Sequence, residues 1–446
     1  MENRTVDVGE IVDSASFFWK PFGIAAMIII IMLTDGFDLF IPSYVATALV
    51  KEWNISKAAV QPFVQAGLIG MAIGSVVIGY IGDRAGRKKA YALSLLFMCV
   101  GSIFCYLAHS ISQLFVWRLV MGLGLGGLTP MGTTLVSEWT NKKMRSIMVA
   151  AVIVSIPLGG TLAGSVYRTL APVYGWRGMF AVGAIVPLAL ILLFSYLLPE
   201  SPKYMARHRR LHKRLATSLN QLLRENRFDG SEDFYVAESG KRSSNWLATV
   251  LNDDFRAGTI LIWIAFIVNS FVLYMFTSQI PLLLDTANLS SGTASMALQY
   301  FSFGAIIGSL GGAILIGSFG SKYTGTSLAA VGGVASALIA FVLLAGNPST
   351  VQLFALCLLA GASVNGMQAF LYAVGAHAYP TEVRGSAVGM AQTISRIGAV
   401  ASPMVAAYYF HMDPTPPAGA FFLFMAAVMV ITVVSYFFIP SHIPRN

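Results

Sequence analysis

The sequence predicts an all-α membrane protein, with twelve transmembrane helices in two pseudo-symmetric six-helix halves around a central cavity. The first observation behind this is composition. Of 446 residues, 56% are hydrophobic, only 11% are charged and 42 are glycine, with a mean hydropathy of +0.70. That leaves too little polar surface to cover a water-soluble globule of this length. The second is a series of twelve apolar runs, each long enough to cross about 30 Å of hydrocarbon. The third is a faint internal repeat between the two halves of the chain.

In chain order, the runs cover residues 22–49, 59–81, 90–108, 112–137, 146–170 and 177–198, then 257–284, 293–317, 324–345, 350–378, 386–410 and 417–439. The long hydrophilic segment lies between the sixth and seventh. The expected organisation is an N-terminal half (1–198), a cytoplasmic linker (199–256) and a C-terminal half (257–446). The linker opens with Lys203, Arg207, Arg209, Arg210, Lys213 and Arg214, a basic amphipathic stretch expected to form a lipid-facing helix. The repeat is carried by Gly79-Tyr80-Ile81-Gly82-Asp83-Arg84 after the second run, which returns as Gly317-Ser318-Phe319-Gly320-Ser321-Lys322 after the eighth. Arg145, after the fourth run, likewise corresponds to Arg384, after the tenth.

The chain has 29 Lys and Arg against 20 Asp and Glu. With both termini in the cytoplasm, only Lys51, Lys57, Arg168 and Arg177 fall in external loops, and Arg118 and Arg396 fall within spans. The basic excess therefore reads as a positive-inside orientation signal in an inner-membrane, multi-pass protein, not as a nucleic-acid surface. Cys99, Cys105 and Cys357 all lie in apolar runs, so neither a disulfide framework nor a metal site is expected. The first twenty residues lack a basic start followed by a short apolar run, so no removable signal peptide is expected.

Asp35 and Asp38 stand inside the first apolar run. A carboxylate at mid-bilayer costs a few kcal/mol on the lenient insertion scales, so such residues are seldom idle. Three positions apart on a helix, they lie about 60° apart around its axis. The alternatives are a proton-carrying pair and a helix-packing pair hydrogen-bonded across an interface. Arg396 lies twelve residues past Arg384, about 18 Å deep at 1.5 Å per residue. A guanidinium there offers a planar donor fork to an organic carboxylate or to an acid of the other half. Arg118 is nearer the outer surface, and substrate contact, gating and structural pairing are all open to it. Candidate specificity residues are the polar and aromatic side chains of the central runs: Tyr44, Gln61, Gln65, Trp263, Asn269, Gln279, Gln299, Tyr300, Asn365, Gln368, Tyr372 and Gln392. For His377, near the cytoplasmic end of the tenth run, the alternatives are a proton shuttle and an ordinary buried hydrogen-bonded histidine, and the second is favoured.

The loop Gly79-Tyr80-Ile81-Gly82-Asp83-Arg84-Ala85-Gly86-Arg87-Lys88-Lys89 resembles the signature of the major facilitator superfamily. Arg118-Leu119-Val120-Met121-Gly122-Leu123-Gly124-Leu125-Gly126-Gly127 is similar to its fourth-span motif. Pro199-Glu200-Ser201-Pro202-Lys203-Tyr204 and Tyr379-Pro380-Thr381-Glu382-Val383-Arg384-Gly385 resemble its sugar-porter and organic-acid branch. Asp35-Gly36-Phe37-Asp38 resembles the first-span motif of the aromatic acid:proton symporters. The resemblance implies the major facilitator fold, Asp35 and Asp38 as proton-coupling acids, and a gate built from Gly79, Asp83, Arg84, Gly86, Arg87, Glu138, Arg145 and Arg384. After the eighth run the family's second gate motif is degenerate, reading Ser321-Lys322-Tyr323-Thr324-Gly325, so a symmetric gate is not expected. The fifth run has Val154-Ser155-Ile156-Pro157-Leu158-Gly159-Gly160, without the glycine before proline usual in the superfamily's antiporters, which favours uptake.

The expectation is a monomeric, proton-coupled importer of a small aromatic carboxylate. Arg396, Arg118, Tyr44, Gln65, Gln299, Tyr300, Gln368, Tyr372 and Gln392 would contact the substrate. No nucleotide loop, metal-ligand cluster or nucleophile triad points to an enzyme or a cofactor. A sugar, sialic-acid-like or dicarboxylate porter is the rival of the same architecture. A transporter-like sensor signalling through residues 199–256 is the rival of a different class.

Overall fold

The computed structural model describes residues 5–15, 19–236, 246–346 and 349–444; residues 237–245 of the expected linker lie outside the described residues. Among the described residues there are twelve long helices: α1 (Trp19–Glu52), α2 (Gln61–Ala85), α3 (Arg87–Tyr106), α4 (Ile111–Trp139), α5 (Arg145–Tyr174), α6 (Arg177–Leu197), α7 (Arg256–Thr286), α8 (Ser291–Phe319), α9 (Ser321–Leu344), α10 (Thr350–Ala378), α11 (Thr381–His411) and α12 (Ala418–Phe437). They coincide with the twelve apolar runs, and several extend past the apolar part by about a turn at one end or both. Extra turns come from polar residues that continue the helix into the interface, such as Lys51 and Glu52 at the end of α1.

The two halves pack alike. In the N-terminal half α2 lies along α4, α1 along α5 and α3 along α6; six helices later, α8 lies along α10, α7 along α11 and α9 along α12. The halves meet where α1 touches α7, α2 touches α11 and α5 touches α8. These contacts map onto one another when the halves are exchanged, so the interface is built on a pseudo-two-fold axis.

Glycine decides how closely the paired helices run. On α4, Gly122 and Gly126 are four residues apart and share one face, where a Cβ would strike the backbone of Gly67 and Met71 on α2. Gly124, on the opposite side, faces the backbone of Ser94 on α3. One run of alternating glycines thus lets α4 approach two neighbours at once.

On the face that bears both termini, the strand β1 (Thr5–Asp7) pairs in parallel with β2 (Asp233–Tyr235) of the linker. The linker helix His212–Leu223 buries Leu215, Ala216, Leu219 and Leu222. These join Val6, Val8 and Val12 of the N-terminal segment in one apolar cluster. The helix is amphipathic as expected, but its apolar side is covered by protein and not by lipid, and Lys213 and Arg214 are exposed. The unit is fastened to the N-terminal half by an Arg145–Asp13 ion pair, by Asn141 Nδ2 donating to the Ala15 carbonyl (2.9 Å), and by Lys20 Nζ donating to Ser218 O (3.0 Å) and Gln221 Oε1 (2.7 Å).

Candidate functional site

Asp35 and Asp38 share a helix but not an environment. The Asp35 carboxylate accepts a hydrogen bond from Thr129 Oγ1 of α4 at 3.0 Å, and Arg396 of the other half lies within its electrostatic reach. Asp38, one turn further along α1, points into the N-terminal bundle. A Cβ on Gly183 of α6 would lie 3.1 Å from its Oδ1. Neither Asp38 oxygen has a hydrogen-bond partner among the described residues. The nearby cation is Arg118, whose Nη2 donates to the Asp38 backbone carbonyl at 2.7 Å. Each acid therefore has its own arginine: Asp35 and Arg396 across the two halves, Asp38 and Arg118 within one.

Arg118 is buried, and its Nε has no partner among the described residues. Its side chain lies against Gly67, where a Cβ would come within 2.9 Å of Nε. A cavity of about 20 Å³ adjoins it, lined among others by Ser43, Gly67, Met71, Tyr274 and Thr277. It sits between α1, α2 and α7, at the junction of the halves. A space of that size holds about one water molecule.

In the C-terminal half, Arg396 leaves the middle of α11 and reaches Tyr274 Oη of α7 at 3.0 Å and Met71 Sδ of α2 at 2.9 Å. Tyr372 of α10 stands beside it, in contact with Gln368 and Gln392, and packs edge-on against Phe266 at 5.2 Å. Asn269 Nδ2 donates to Gln368 Oε1 at 2.7 Å and to Val364 O at 3.2 Å, while its own Oδ1 is buried without a partner among the described residues. Asn269, Tyr274, Gln368, Tyr372, Gln392 and Arg396 form one polar and aromatic cluster. It combines a cation that can pair with a carboxylate with phenol and amide groups that can donate and accept hydrogen bonds.

The remaining candidates lie elsewhere. Tyr44 is buried against Tyr167 (ring centroids 5.7 Å apart), and its hydroxyl reaches Gly160 O at 3.4 Å. Gln65 is half-buried on α2. Gln299 ties α8 to α5: it accepts from Arg168 and donates to Thr161 O (2.7 Å) and Ser165 Oγ (2.8 Å). Tyr300 is half-exposed and stacked on Phe354. The structure does not bring Tyr44, Gln299 and Tyr300 into the Arg396 cluster. Tyr274 and Thr129, which the sequence reading did not single out, are in contact with Arg396 and Asp35.

Gln299 belongs to a second group of ties between the halves, all toward the face opposite the termini. Gln61 and Gln279 exchange hydrogen bonds of 2.9 and 3.1 Å, Ser43 Oγ donates to Thr277 O at 2.5 Å, and Asp285 pairs with both Lys51 (3.1 Å) and Lys57 (2.7 Å).

On the terminus-bearing face the expected gate residues are held within the N-terminal half. Asp83 pairs with Arg87 one turn away. Gly86, at φ +104°, ends α2 and begins α3. The Glu200 carboxylate occupies the space beside it, accepting from the amides of Arg87 (2.7 Å) and Lys88 (3.2 Å), and so caps α3 from 113 residues away. A Cβ at Gly86 would collide with that carboxylate. Glu138 accepts from Ser201. Arg145 donates to Ser137 O (3.0 Å) and Thr140 O (3.2 Å), and Tyr204 Oη to Arg84 O (3.2 Å). Gly79 faces open space. Arg384, in the other half, contacts Tyr379 O at 3.4 Å. Among the described residues no cluster of His, Cys, Asp and Glu could hold a metal ion.

Comparison with known proteins places this geometry. The family model described as Major Facilitator Superfamily matches residues 26–403. A gallate transporter of Pseudomonas putida is 28% identical over 90% of this chain and 88% of its own. The 4-hydroxybenzoate transporter PcaK of Acinetobacter baylyi is 28% identical over 90% and 87%. Among solved structures, the xylose transporter XylE from E. coli, in an inward-open conformation, superimposes with a TM-score of 0.74 at 16% identity, covering 95% of this chain and 97% of that one.

Proposed function

The chain belongs to the Major Facilitator Superfamily, and from that premise we propose that it imports a small aromatic carboxylate together with protons, by alternating access across an inner membrane with both termini in the cytoplasm. The observation that carries the reading is Arg396. It is a cation in the middle of α11, bonded to Tyr274, beside Tyr372, and within electrostatic reach of Asp35 in the opposite half. The names of the relatives, transporters of gallate and 4-hydroxybenzoate, support the substrate class.

In this reading, Arg396 receives the substrate carboxylate through its donor fork while Tyr372, Gln368 and Asn269 address the ring. An incoming anion competes with Asp35 for the field of Arg396, so neutralising Asp35 with a proton favours substrate binding. Proton and anion then occupy the junction together, and rocking of the halves carries both. Asp38 and Arg118 keep the N-terminal bundle electrically balanced beside the junction.

Uptake of labelled 4-hydroxybenzoate into proteoliposomes, with and without an imposed pH gradient, tests the proposal. Accumulation is expected only with the gradient. Asp35→Asn should abolish accumulation while leaving counterflow measurable, and Arg396→Lys should raise KM roughly tenfold or more, because the planar fork is lost. Gradient-independent accumulation, or unchanged accumulation in Asp35→Asn, overturns it.

A further inference from the structure

A large groove lies away from this site. With a volume of about 1320 Å³, it opens on the terminus-bearing side, between the ends of α1, α3 and α6 and the linker helix. Its wall is apolar, formed by Ile24, Ile31, Leu95, Leu190 and Phe194. Its rim is cationic: Lys88 and Lys89 from α3 face the groove on one side, Arg210 and Arg214 of the linker on the other. Among the described residues none of these four is paired with a carboxylate. The carboxylate in the lining, Glu200, is already engaged by the amides at the start of α3. Two independent elements therefore place unneutralised cations around one apolar cleft.

The depth of the groove narrows the choice of occupant. Three membrane helices begin or end there, and Trp19 and Tyr196, which line it, are 72% and 89% exposed, as aromatic residues are at the headgroup level of a bilayer. A soluble anion would use the rim and leave the apolar wall wet. A molecule with a phosphate and acyl chains satisfies both. We infer that this groove binds one anionic phospholipid, its phosphate between α3 and the linker helix and its chains along α1 and α6. Such a lipid would bridge the linker helix to α3 at the rim, where the two elements would otherwise repel each other.

The test is native mass spectrometry of the full chain released from vesicles of phosphatidylcholine and phosphatidylglycerol in equal amounts. One phosphatidylglycerol should be retained in preference to phosphatidylcholine. Lys89→Gln/Arg214→Gln should lower that retention about thirtyfold, each of the two cations at a membrane surface contributing on the order of 1 kcal/mol. Lys142→Gln/Lys143→Gln removes the same charge from exposed positions on the same face and should leave retention unchanged. Ile191→Trp fills the groove without altering its charge and should also lower retention, which keeps the test decisive if the double variant folds poorly. Equal loss in both charge pairs, no preference for phosphatidylglycerol, or displacement of the lipid by millimolar inorganic phosphate overturns the inference.

Discussion

Charge was the property that made single residues legible. Asp35, Asp38, Arg118 and Arg396 stand out because ionisable groups in apolar runs are costly and demand partners. Thr129 and Tyr274 did not stand out, for a physical reason. Uncharged polar residues inside a helix usually satisfy themselves on their own backbone, as Thr277 does on Leu273 O (3.0 Å) and Ser302 on Leu298 O (3.0 Å). Which of them instead turn toward an acid or an arginine depends on helix rotation, and no local pattern records that. The same limit explains Gln299 and Tyr300, which are of the right type but are turned to other partners, Arg168 and Phe354. The separation of the two acids leads to a prediction. Asp38→Asn leaves the buried Arg118 charge without its counter-ion and should cost about 3 kcal/mol of stability, seen as a lowered melting temperature in detergent. Asp38→Asn/Arg118→Met should recover most of that loss. A single variant as stable as the wild type would show that the two residues are not a couple.

At the scale of elements, span positions followed directly from hydropathy, whereas the packing of the linker did not. Its helix was recognisable as amphipathic, yet what covered the apolar side could not be read from it. The partners are Val6, Val8 and Val12, some 200 residues earlier in the chain. Glu200 is a similar case: the Pro-Glu-Ser-Pro element was visible, but its use as a cap for α3 needs the fold. A matching device closes the C-terminal half, where Ile443 N donates to Ser321 Oγ (2.8 Å) and His442 Nδ1 meets the same hydroxyl at 3.2 Å. Burial, and after it the nearby Lys322, holds the His442 imidazole below its ordinary range. A group whose folded pKa is lowered contributes stability that is complete above its unfolded value and lost as pH falls through the folded one. The protection of the Ile443 amide against hydrogen exchange should therefore fall as pH drops below about 6.5, and His442→Gln should remove that dependence.

On the scale of the molecule, the duplication hinted at by two short motifs reappears as matched helix pairings. The ties between the halves are gathered from the depth of Arg396 toward the face opposite the termini, so that face is closed here. Opening it requires the Lys51–Asp285–Lys57 cluster to part. Asp285→Ala removes the shared anion and should shift the population toward the opposite state by roughly fivefold, about 1 kcal/mol for a partly buried surface cluster. Thiol labelling of Thr277→Cys would report it, against a low background because Cys99, Cys105 and Cys357 are all buried. A labelling rate unchanged by Asp285→Ala would show that the cluster does not hold the closure.

The two-stranded ribbon of β1 and β2 has a topological consequence. Thr5 pairs with Asp233, so both must lie on one side of the membrane, and the chain between them must cross it an even number of times. The bonds from Ile443 to Ser321 impose the same condition on the four helices α9 to α12. Two small sets of contacts thus act as separate parity checks on insertion, since a chain that had gained or lost a single crossing in one stretch could not form the contact that closes that stretch. The ribbon also cannot close until residue 235 has been synthesised, when all six helices of the first half are already in place.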